Sequence, residues 1–280
     1  MTTPVAPRPV AVYELRRAWH AVQAGEFRAH WHPQNPSLRR PPRPVASESV
    51  SVWTPSVGEQ VVPVVGCAGS CGATTVALAL ATAAGGLARL VECASVSATG
   101  LAAASTAELG VTEAGWVRGS RDQVLLERSD GSCPAGEAVP LPSQADRSLW
   151  TIIDPAQPIE QLLAGDGWLA HLLADTPVLV LAARATVPGL RRLETCLALV
   201  GAGRVVVAVL GPTRKRWPGQ VIHSLGPLTR ALITAGRLVE IPEDRVLAVA
   251  GLTPAPLPSS LITAAASLLF LTKGAPRDAV

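Results

Sequence analysis

The stretch VVPVVGCAGSCGATTV, residues 61–76, passes from β-branched residues through a turn with glycine and cysteine into an alanine-rich helical sequence. That order is typical of a phosphate-binding loop, in which glycines let backbone N–H groups converge on a phosphate at the start of a helix. Against the pattern G-x-x-x-x-G-K-[ST], the lysine position holds Ala73, followed by Thr74, and the opening glycine position holds Cys67, one place after Gly66. The sequence therefore predicts the shape of a phosphate loop without its charge.

The turn resembles a variant of this loop. Residues 68–75, AGSCGATT, resemble the deviant phosphate loop K-G-G-x-G-K-T-T of the ParA and MinD partition and positioning ATPases. Ala68 stands at that family's signature lysine, and Ala73 stands at its general phosphate-loop lysine. The resemblance implies that a nucleotide is held by this loop. The candidate nucleotide-binding residues are Gly66, Gly69, Ser70, Cys71, Gly72, Ala73, Thr74 and Thr75.

Three later segments follow in the same order as in that family, and the resemblance covers residues 57–271. In the second strand the family has D-x-D, and those two positions are Glu92 and Ala94 here. The Walker B aspartate of the family is present as Asp154, and the last segment contains the family's I-P-x-D element. The segments are LARLVECAS at 87–95, LWTIIDPAQP at 149–158 and LVEIPEDRVLAV at 238–249.

Short apolar runs alternate with Ala/Leu-rich helical stretches after residue 60. Continuous apolar strands are typical of a parallel sheet that is covered on both faces. We therefore predict a doubly wound, mostly parallel α/β sheet of the P-loop NTPase type, with the ligand site at the carboxyl ends of its strands. The predicted strands are 61–66, 88–93, 150–153, 178–182, 204–210 and 238–241. The predicted helices are 74–84, 159–173, 188–200 and 225–235. Residues 99–148 contain one predicted strand, 123–128, and their topology stays open.

The chain divides into three regions by composition. Residues 1–58 are predicted to be a flexible N-terminal arm, with a short amphipathic helix at 11–27 and a Pro/Arg-rich linker at 31–46. This arm is either a docking peptide for a protein partner or a disordered tail. Residues 59–273 form the predicted α/β domain, and 274–280 form a tail.

Composition favours a globular cytoplasmic protein. The hydrophobic share is 48%. The 24 basic and 21 acidic residues give a net charge of +3, which is too small to argue for a nucleic-acid partner by itself. Glycines and prolines interrupt the two long uncharged runs, 61–88 and 246–272, so both are interpreted as buried core and no membrane span is predicted. Five cysteines in a chain without a secretory leader indicate reduced thiols in a cytosol. The thiols of Cys67, Cys71 and Cys93 are predicted to be buried and not zinc ligands.

A basic cluster follows the strand predicted at 204–210. It consists of Arg214, Lys215 and Arg216. Arg184 is predicted to lie on the same face, together with Arg191 and Arg192 at the start of the helix that follows the strand at 178–182. This surface would contact a nucleotide, DNA phosphates or an acidic partner, or it is an ordinary solvated face. In the related ATPases nucleotide-dependent dimers bind DNA or membrane, so the resemblance implies DNA binding and a homodimer.

Phosphoryl transfer needs a cation on the phosphates, a Mg²⁺ held by a hydroxyl and a carboxylate, and a group that positions water. Thr74 and Asp154 would supply the magnesium ligands for ATP or ADP. Alanine at 73, 68 and 94 removes the cations and the water-orienting aspartate of the family. The sequence therefore predicts a pseudo-ATPase that binds nucleotide weakly or not at all. Two alternatives stay open: an active ATPase that uses Arg184 or Arg214 from outside the loop, and a pure interaction platform.

Overall fold

The structure is a computed structural model that describes residues 52–86, 88–94, 98–129, 139–144 and 150–273. All of these belong to one compact unit, Ser49–Val280. The helix predicted at 11–27, the linker at 31–46 and the tail at 274–280 lie outside the described residues.

A sheet of nine strands organises the described part of the chain. The strands are β1 Gln60–Gly66, β2 Ala88–Glu92, β3 Ala107–Val111, β4 Trp116–Arg121, β5 Val124–Ser129, β6 Trp150–Asp154, β7 Leu179–Arg184, β8 Val205–Gly211 and β9 Leu238–Pro242. Their order in the sheet is β3-β4-β5-β2-β6-β1-β7-β8-β9. All neighbouring strands are parallel except at β4, which is antiparallel to both β3 and β5.

Eight helices accompany the sheet in the described ranges. They are α1 Ala73–Ala84, α2 Ile159–Ala164, α3 Trp168–Asp175, α4 Val187–Val200, α5 Gly219–His223, α6 Pro227–Thr234, α7 Arg245–Ala250 and α8 Ser259–Lys273. Short 3₁₀ turns lie at Ala102–Ala104, Ala202–Arg204 and Arg214–Arg216.

Both faces of the sheet are buried. Successive strand residues alternate between two hydrophobic clusters, so Val64 packs in the cluster with α1 and α8 while Val65 packs in the cluster with α4. Helix α1 is buried over the whole run from Val76 to Ala81, because it lies between the sheet and α8. The predicted doubly wound, mostly parallel α/β class is therefore confirmed.

Two predictions of local structure are wrong. The helix expected at 159–173 is two helices, because Gly165 ends α2 and Gly167 begins α3, and both glycines have extended backbone. The apolar run 246–272 is not continuous core, because Val246 and Val249 in α7 are 70% and 90% exposed. The buried part of that run is in α8. Within the described ranges, the other predicted strands and helices are present with ends shifted by a few residues.

The region whose topology was open forms one edge of the sheet. β3, β4 and β5 make an antiparallel meander, and β5 joins the parallel sheet beside β2. Every residue of the edge strand β3 is exposed. An edge strand without a buried face has no alternation of apolar and polar residues, so its sequence carries no strand signal.

Candidate phosphate-loop site

The loop between β1 and α1 turns sharply. The N–H of Cys67 still donates to the carbonyl of Ala182 at 2.9 Å, which extends the pairing of β1 with β7 by one residue. Ser70 and Gly72 then have φ values of 55° and 91°, in the left-handed region. Gly72 caps α1, and its carbonyl accepts the first helical hydrogen bond from Val76 at 3.0 Å. The strand, tight turn and helix of the predicted loop are all present.

Close packing leaves no space for a side chain at two glycines. A Cβ at Gly72 would lie 2.3 Å from Cδ2 of Leu210 in β8, and a Cβ at Gly66 would lie 2.9 Å from the Sγ of Cys71. Both distances are shorter than real Cβ contacts, so a Cβ at either position would require the Leu210 or the Cys71 side chain to move. Gly72 also has a positive φ, so its conformation and its packing both favour glycine.

Thr74 and Asp154 meet at the carboxyl ends of β1 and β6. The hydroxyl Oγ1 of Thr74 donates to Oδ2 of Asp154 at 2.6 Å, and the N–H of Ala156 donates to Oδ1 at 3.0 Å. Asp154 is 1% exposed. Burial raises its pKa from 3.8 to about 6, and the two hydrogen bonds oppose this shift only in part.

Magnesium is the metal that the resemblance implies. In nucleotide sites Mg²⁺ takes one or two protein oxygens and completes its shell with phosphate oxygens and water. Thr74 and Asp154 offer a hydroxyl and a carboxylate on one site, which fits this donor set. Among the described residues no group of three His, Cys, Asp or Glu side chains could hold a metal by itself. These two residues would therefore hold a Mg²⁺ that arrives with a nucleotide.

A second buried carboxylate lies beside Asp154. Glu92 ends β2 directly opposite Asp154 in the parallel register and is 1% exposed. The hydroxyl of Thr99 donates to Oε2, and the N–H of Gly100 donates to Oε1 at 3.3 Å. Burial, together with the neighbouring charge of Asp154, raises the pKa of Glu92 from 4.5 to about 7, against those two hydrogen bonds. The resemblance places Glu92 at the first position of the D-x-D pattern, and the strand register brings it beside Asp154.

The thiols near the loop are buried, as predicted for Cys67, Cys71 and Cys93. Cys196 on α4 is buried too, and the thiols of Cys67 and Cys196 are hydrogen-bonded to each other. This bond and burial raise the pKa of Cys67, and burial raises the pKa of Cys71 and of Cys93. Protonated buried thiols contribute packing and no charge to the loop.

The predicted basic residues are partly neutralised by acids. Arg184 ends β7 and forms an ion pair with Glu243, and Arg214 lies 3.9 Å from Glu240. Lys215 and Arg216 lie with Arg214 in the exposed 3₁₀ turn after β8. Half of the predicted basic patch is therefore close to a carboxylate.

A small cavity of about 140 Å³ lies beside the loop. It is lined by Cys67, Ala68 and Gly69 on one side and by Arg184 and Arg192 on the other. Its volume suits a phosphate-sized anion and is below the roughly 300–1,000 Å³ of pockets that enclose a drug-sized ligand. The sequence predicts Arg192 on the same basic face as Arg184, and both residues line this cavity.

No protein-family model matches this sequence, and no curated protein matches it. Solved structures do match. A plasmid partition protein from Borrelia burgdorferi B31, bound to AMPPNP, has 13% identity over 77% of this chain and 99% of that chain, with a TM-score of 0.50. A ParA family ATPase from Chlorobium tepidum TLS has 14% identity over 76% and 99%, with a TM-score of 0.49. At this identity the first likeness supports the fold. No helix in the described ranges is long and apolar enough to cross a bilayer.

Proposed function

We propose that this chain is a degenerate ParA/MinD-like P-loop protein that acts in the cytoplasm as a non-hydrolysing scaffold or regulator. Its setting would be the partition, positioning or transfer of DNA. The partition protein from Borrelia burgdorferi B31 that shares the fold is bound to AMPPNP, which supports nucleotide binding by a protein of this fold. The order of the loop, Asp154 and the I-P-x-D segment along this chain supports the same origin.

One observation carries the proposal: the loop keeps its backbone shape and its Thr74–Asp154 pair, while both lysine positions are alanine. A lysine contact to a phosphate is a charge-assisted hydrogen bond of about 1.5–3 kcal/mol. Its absence weakens nucleotide binding by about one to two powers of ten. Backbone N–H groups and Thr74 would remain to bind the phosphates.

The group that would orient an attacking water is missing as well. Ala94 stands where the resemblance places that aspartate, and it is buried. Glu92, the nearest remaining carboxylate, has both oxygens engaged by Thr99 and Gly100 and carries a raised pKa. None of these residues therefore offers a free carboxylate to orient and deprotonate an attacking water.

A second candidate function is an active ATPase that borrows a cation. The cavity beside the loop favours it, because Arg184 and Arg192 line that cavity together with Ala68 and Gly69. Arg184 is already paired with Glu243, so Arg192 is the better donor of the two. Under this hypothesis Arg192→Ala abolishes hydrolysis, and Arg184→Ala has a smaller effect.

The basic patch of Arg184, Arg214, Lys215 and Arg216 is our proposed surface for DNA phosphates. Its partial pairing with Glu240 and Glu243 predicts weak binding that disappears with salt. A variant with Arg214, Lys215 and Arg216 all changed to Ala should elute earlier from immobilised DNA at low salt. Equal retention of the variant and the parent would contradict a role in DNA binding.

We also propose that the N-terminal arm binds a protein partner and that the chain forms a homodimer.

Calorimetric titration of the full chain with ATP and Mg²⁺, paired with a phosphate-release assay, tests the function. We expect weak binding, no phosphate release, and loss of the magnesium-dependent part of binding in Asp154→Ala. If the parent chain releases phosphate and Asp154→Ala does not, the protein is an active ATPase and not a pseudo-ATPase. If nucleotide does not bind at all, only the function as an interaction platform remains.

A further inference from the structure

The thiols of Cys67 and Cys196 form a pair at the start of the phosphate loop. Cys67 is the first residue after β1, and its N–H donates to the carbonyl of Ala182 in β7 at 2.9 Å. Cys196 lies in the second half of α4, which packs against β7. The two thiols are hydrogen-bonded to each other. The fold therefore brings together two sulfur atoms from distant segments, and no step of the proposed function uses them.

The other two thiols in the described ranges are placed differently. Cys71 is close to Cys67 in sequence, but it belongs to the hydrophobic cluster on the other face of the sheet, with α1 and α8. Cys93 shares the cluster of Cys67 and Cys196, but it follows β2, and β6 lies between β2 and β1. Two strand positions are about 10 Å, which exceeds the usual Cα distance across a disulfide.

A small reagent can reach this pair from the cavity of about 140 Å³ beside the loop, because Cys67 lies on the cavity wall. Cys67 is 8% exposed and Cys196 is 3% exposed, so the pair is shielded from large reagents. A water molecule takes about 30 Å³ of the liquid, and hydrogen peroxide is only one oxygen atom larger. The cavity therefore has room for a peroxide beside Cys67.

The hydrogen bond makes the pair easier to deprotonate than a single buried thiol. It lowers the pKa of Cys196 against the effect of burial, and the charge of Arg192, one turn earlier in α4, adds to the lowering. The same bond raises the pKa of Cys67, so the pair holds its second proton more tightly than its first. The thiolate is the nucleophile in the chemistry of cysteine, so this pair is more reactive than an isolated buried thiol.

We propose that Cys67 and Cys196 are a redox modification site, at which hydrogen peroxide converts the two thiols into a reversible disulfide. The pair releases one proton, and its thiolate attacks one oxygen of the peroxide. The O–O bond breaks, a sulfenic acid forms, and hydroxide leaves with the proton of the second thiol as water. The second sulfur then attacks the sulfenic acid, the S–S bond forms, and the departing hydroxide takes up the proton released first. Two thiols are oxidised and one peroxide is reduced to two waters.

Peptide mapping of the full chain after treatment with hydrogen peroxide, without nucleotide, tests this site. Remaining thiols are blocked with iodoacetamide in urea before digestion. We expect two of the five thiols to be lost, one cross-linked peptide that contains Cys67 and Cys196, and recovery of all thiols with dithiothreitol. Five unchanged thiols, or a disulfide between any other two cysteines, would overturn the proposal. Because the parent chain alone gives this result, the test does not depend on the folding of a variant or on nucleotide binding.

Cys196→Ser and Cys93→Ser are matched variants, because each replaces one buried thiol of the same hydrophobic cluster by a hydroxyl. Cys93→Ser should form the cross-link at the rate of the parent, and Cys196→Ser should form none. A cross-link from Cys67 to another cysteine in Cys196→Ser at the parent rate would contradict the assigned pair.

Urea unfolding of the oxidised and reduced parent gives a second measurement. The disulfide joins residues 67 and 196, and closing so long a loop in the unfolded chain should raise the urea midpoint. Peroxide should raise the midpoint of Cys93→Ser by the same amount and leave that of Cys196→Ser unchanged. A lower midpoint in the oxidised parent would show that the native fold does not hold the two sulfurs where they can bond, and would overturn the proposal.

Discussion

Two buried polar regions of this protein are held in opposite ways. The first, which we call the arginine network, consists of Glu59, Arg89, Glu127 and Arg118, joined by ion pairs of 2.8–3.4 Å. The second, the carboxylate pair, consists of Glu92 and Asp154 below the phosphate loop. In the described residues neither member of the pair has an ion-pair partner, and hydroxyl and backbone N–H groups bind both.

The difference makes the carboxylate pair the candidate functional region and the arginine network a structural one. In the arginine network each buried carboxylate has a guanidinium beside it, so the charges compensate one another. In the carboxylate pair burial raises the pKa of Glu92 and of Asp154 to about 7 and about 6. Uncompensated buried carboxylates with raised pKa values are concentrated at functional sites. The loop above the pair is held by shape, through Gly72 and Leu210, and not by charge.

Breaking the arginine network should have the largest effect on stability. Arg89→Met leaves Glu59 and Glu127 without the guanidinium that binds both, and removing one partner of a buried ion pair typically costs about 3–5 kcal/mol. Urea unfolding followed by circular dichroism measures this loss.

The matched control is Arg118→Met. Its side chain is 34% exposed, and Glu127 would keep Arg89, so we expect a clearly smaller loss. Equal losses in the two variants would mean that the network is a set of independent surface pairs.

The carboxylate pair should make stability depend on pH. The folded state holds the proton of Glu92 more tightly than the unfolded chain, because its pKa is raised from 4.5 to about 7. The stabilising effect is full below about pH 4.5 and lost as pH rises through 7, a fall of about 3 kcal/mol. Glu92→Gln keeps a neutral hydrogen-bonding group and should flatten this part of the curve.

Urea unfolding of both proteins between pH 5 and 8 measures the difference. A smaller fall should persist in Glu92→Gln, because the pKa of Asp154 is raised to about 6. Identical pH profiles for the two proteins would show that Glu92 is not protonated by burial.

A substitution that changes only shape should disturb the loop. Gly72→Ala places a Cβ in the left-handed region 2.3 Å from Leu210, and we expect a loss of about 1–3 kcal/mol. Gly69→Ala is the matched control in the same loop, because a Cβ there meets no heavy atom within 4 Å. Its effect on thermal unfolding should stay within about 0.5 kcal/mol. If both variants unfold like the parent, packing does not fix the loop.

Continuous apolar runs predicted the parallel sheet, because a strand that is covered on both faces has apolar residues at successive positions. The break of the helix at Gly165 and Gly167 was missed because the flanking residues are good helix formers. The resemblance predicted Thr74 and Asp154 as metal ligands, and the fold brings the two side chains into contact. The state of Glu92 depends on burial and on the carboxylate beside it, which no linear pattern contains.

Residues that meet only through the fold could not be found from the sequence. The sequence predicts Arg192 near Arg184, but that both line one cavity with Ala68 and Gly69 follows only from the fold. A cavity of about 780 Å³ at the amino ends of β1 and β6 is lined by Trp53, Trp150, His171 and Lys273, which come from four separate segments. Each of these residues alone is ordinary, and their common wall exists only in the folded chain.

The most direct test of the account adds a lysine at the position where the resemblance implies one. Calorimetric titration with ATP and Mg²⁺ compares the parent chain with Ala73→Lys, which places a cation at the start of the helix that follows the loop. The account predicts binding that is tighter by about one to two powers of ten. An unchanged dissociation constant in Ala73→Lys would contradict it, because the loop would then no longer present position 73 to a phosphate.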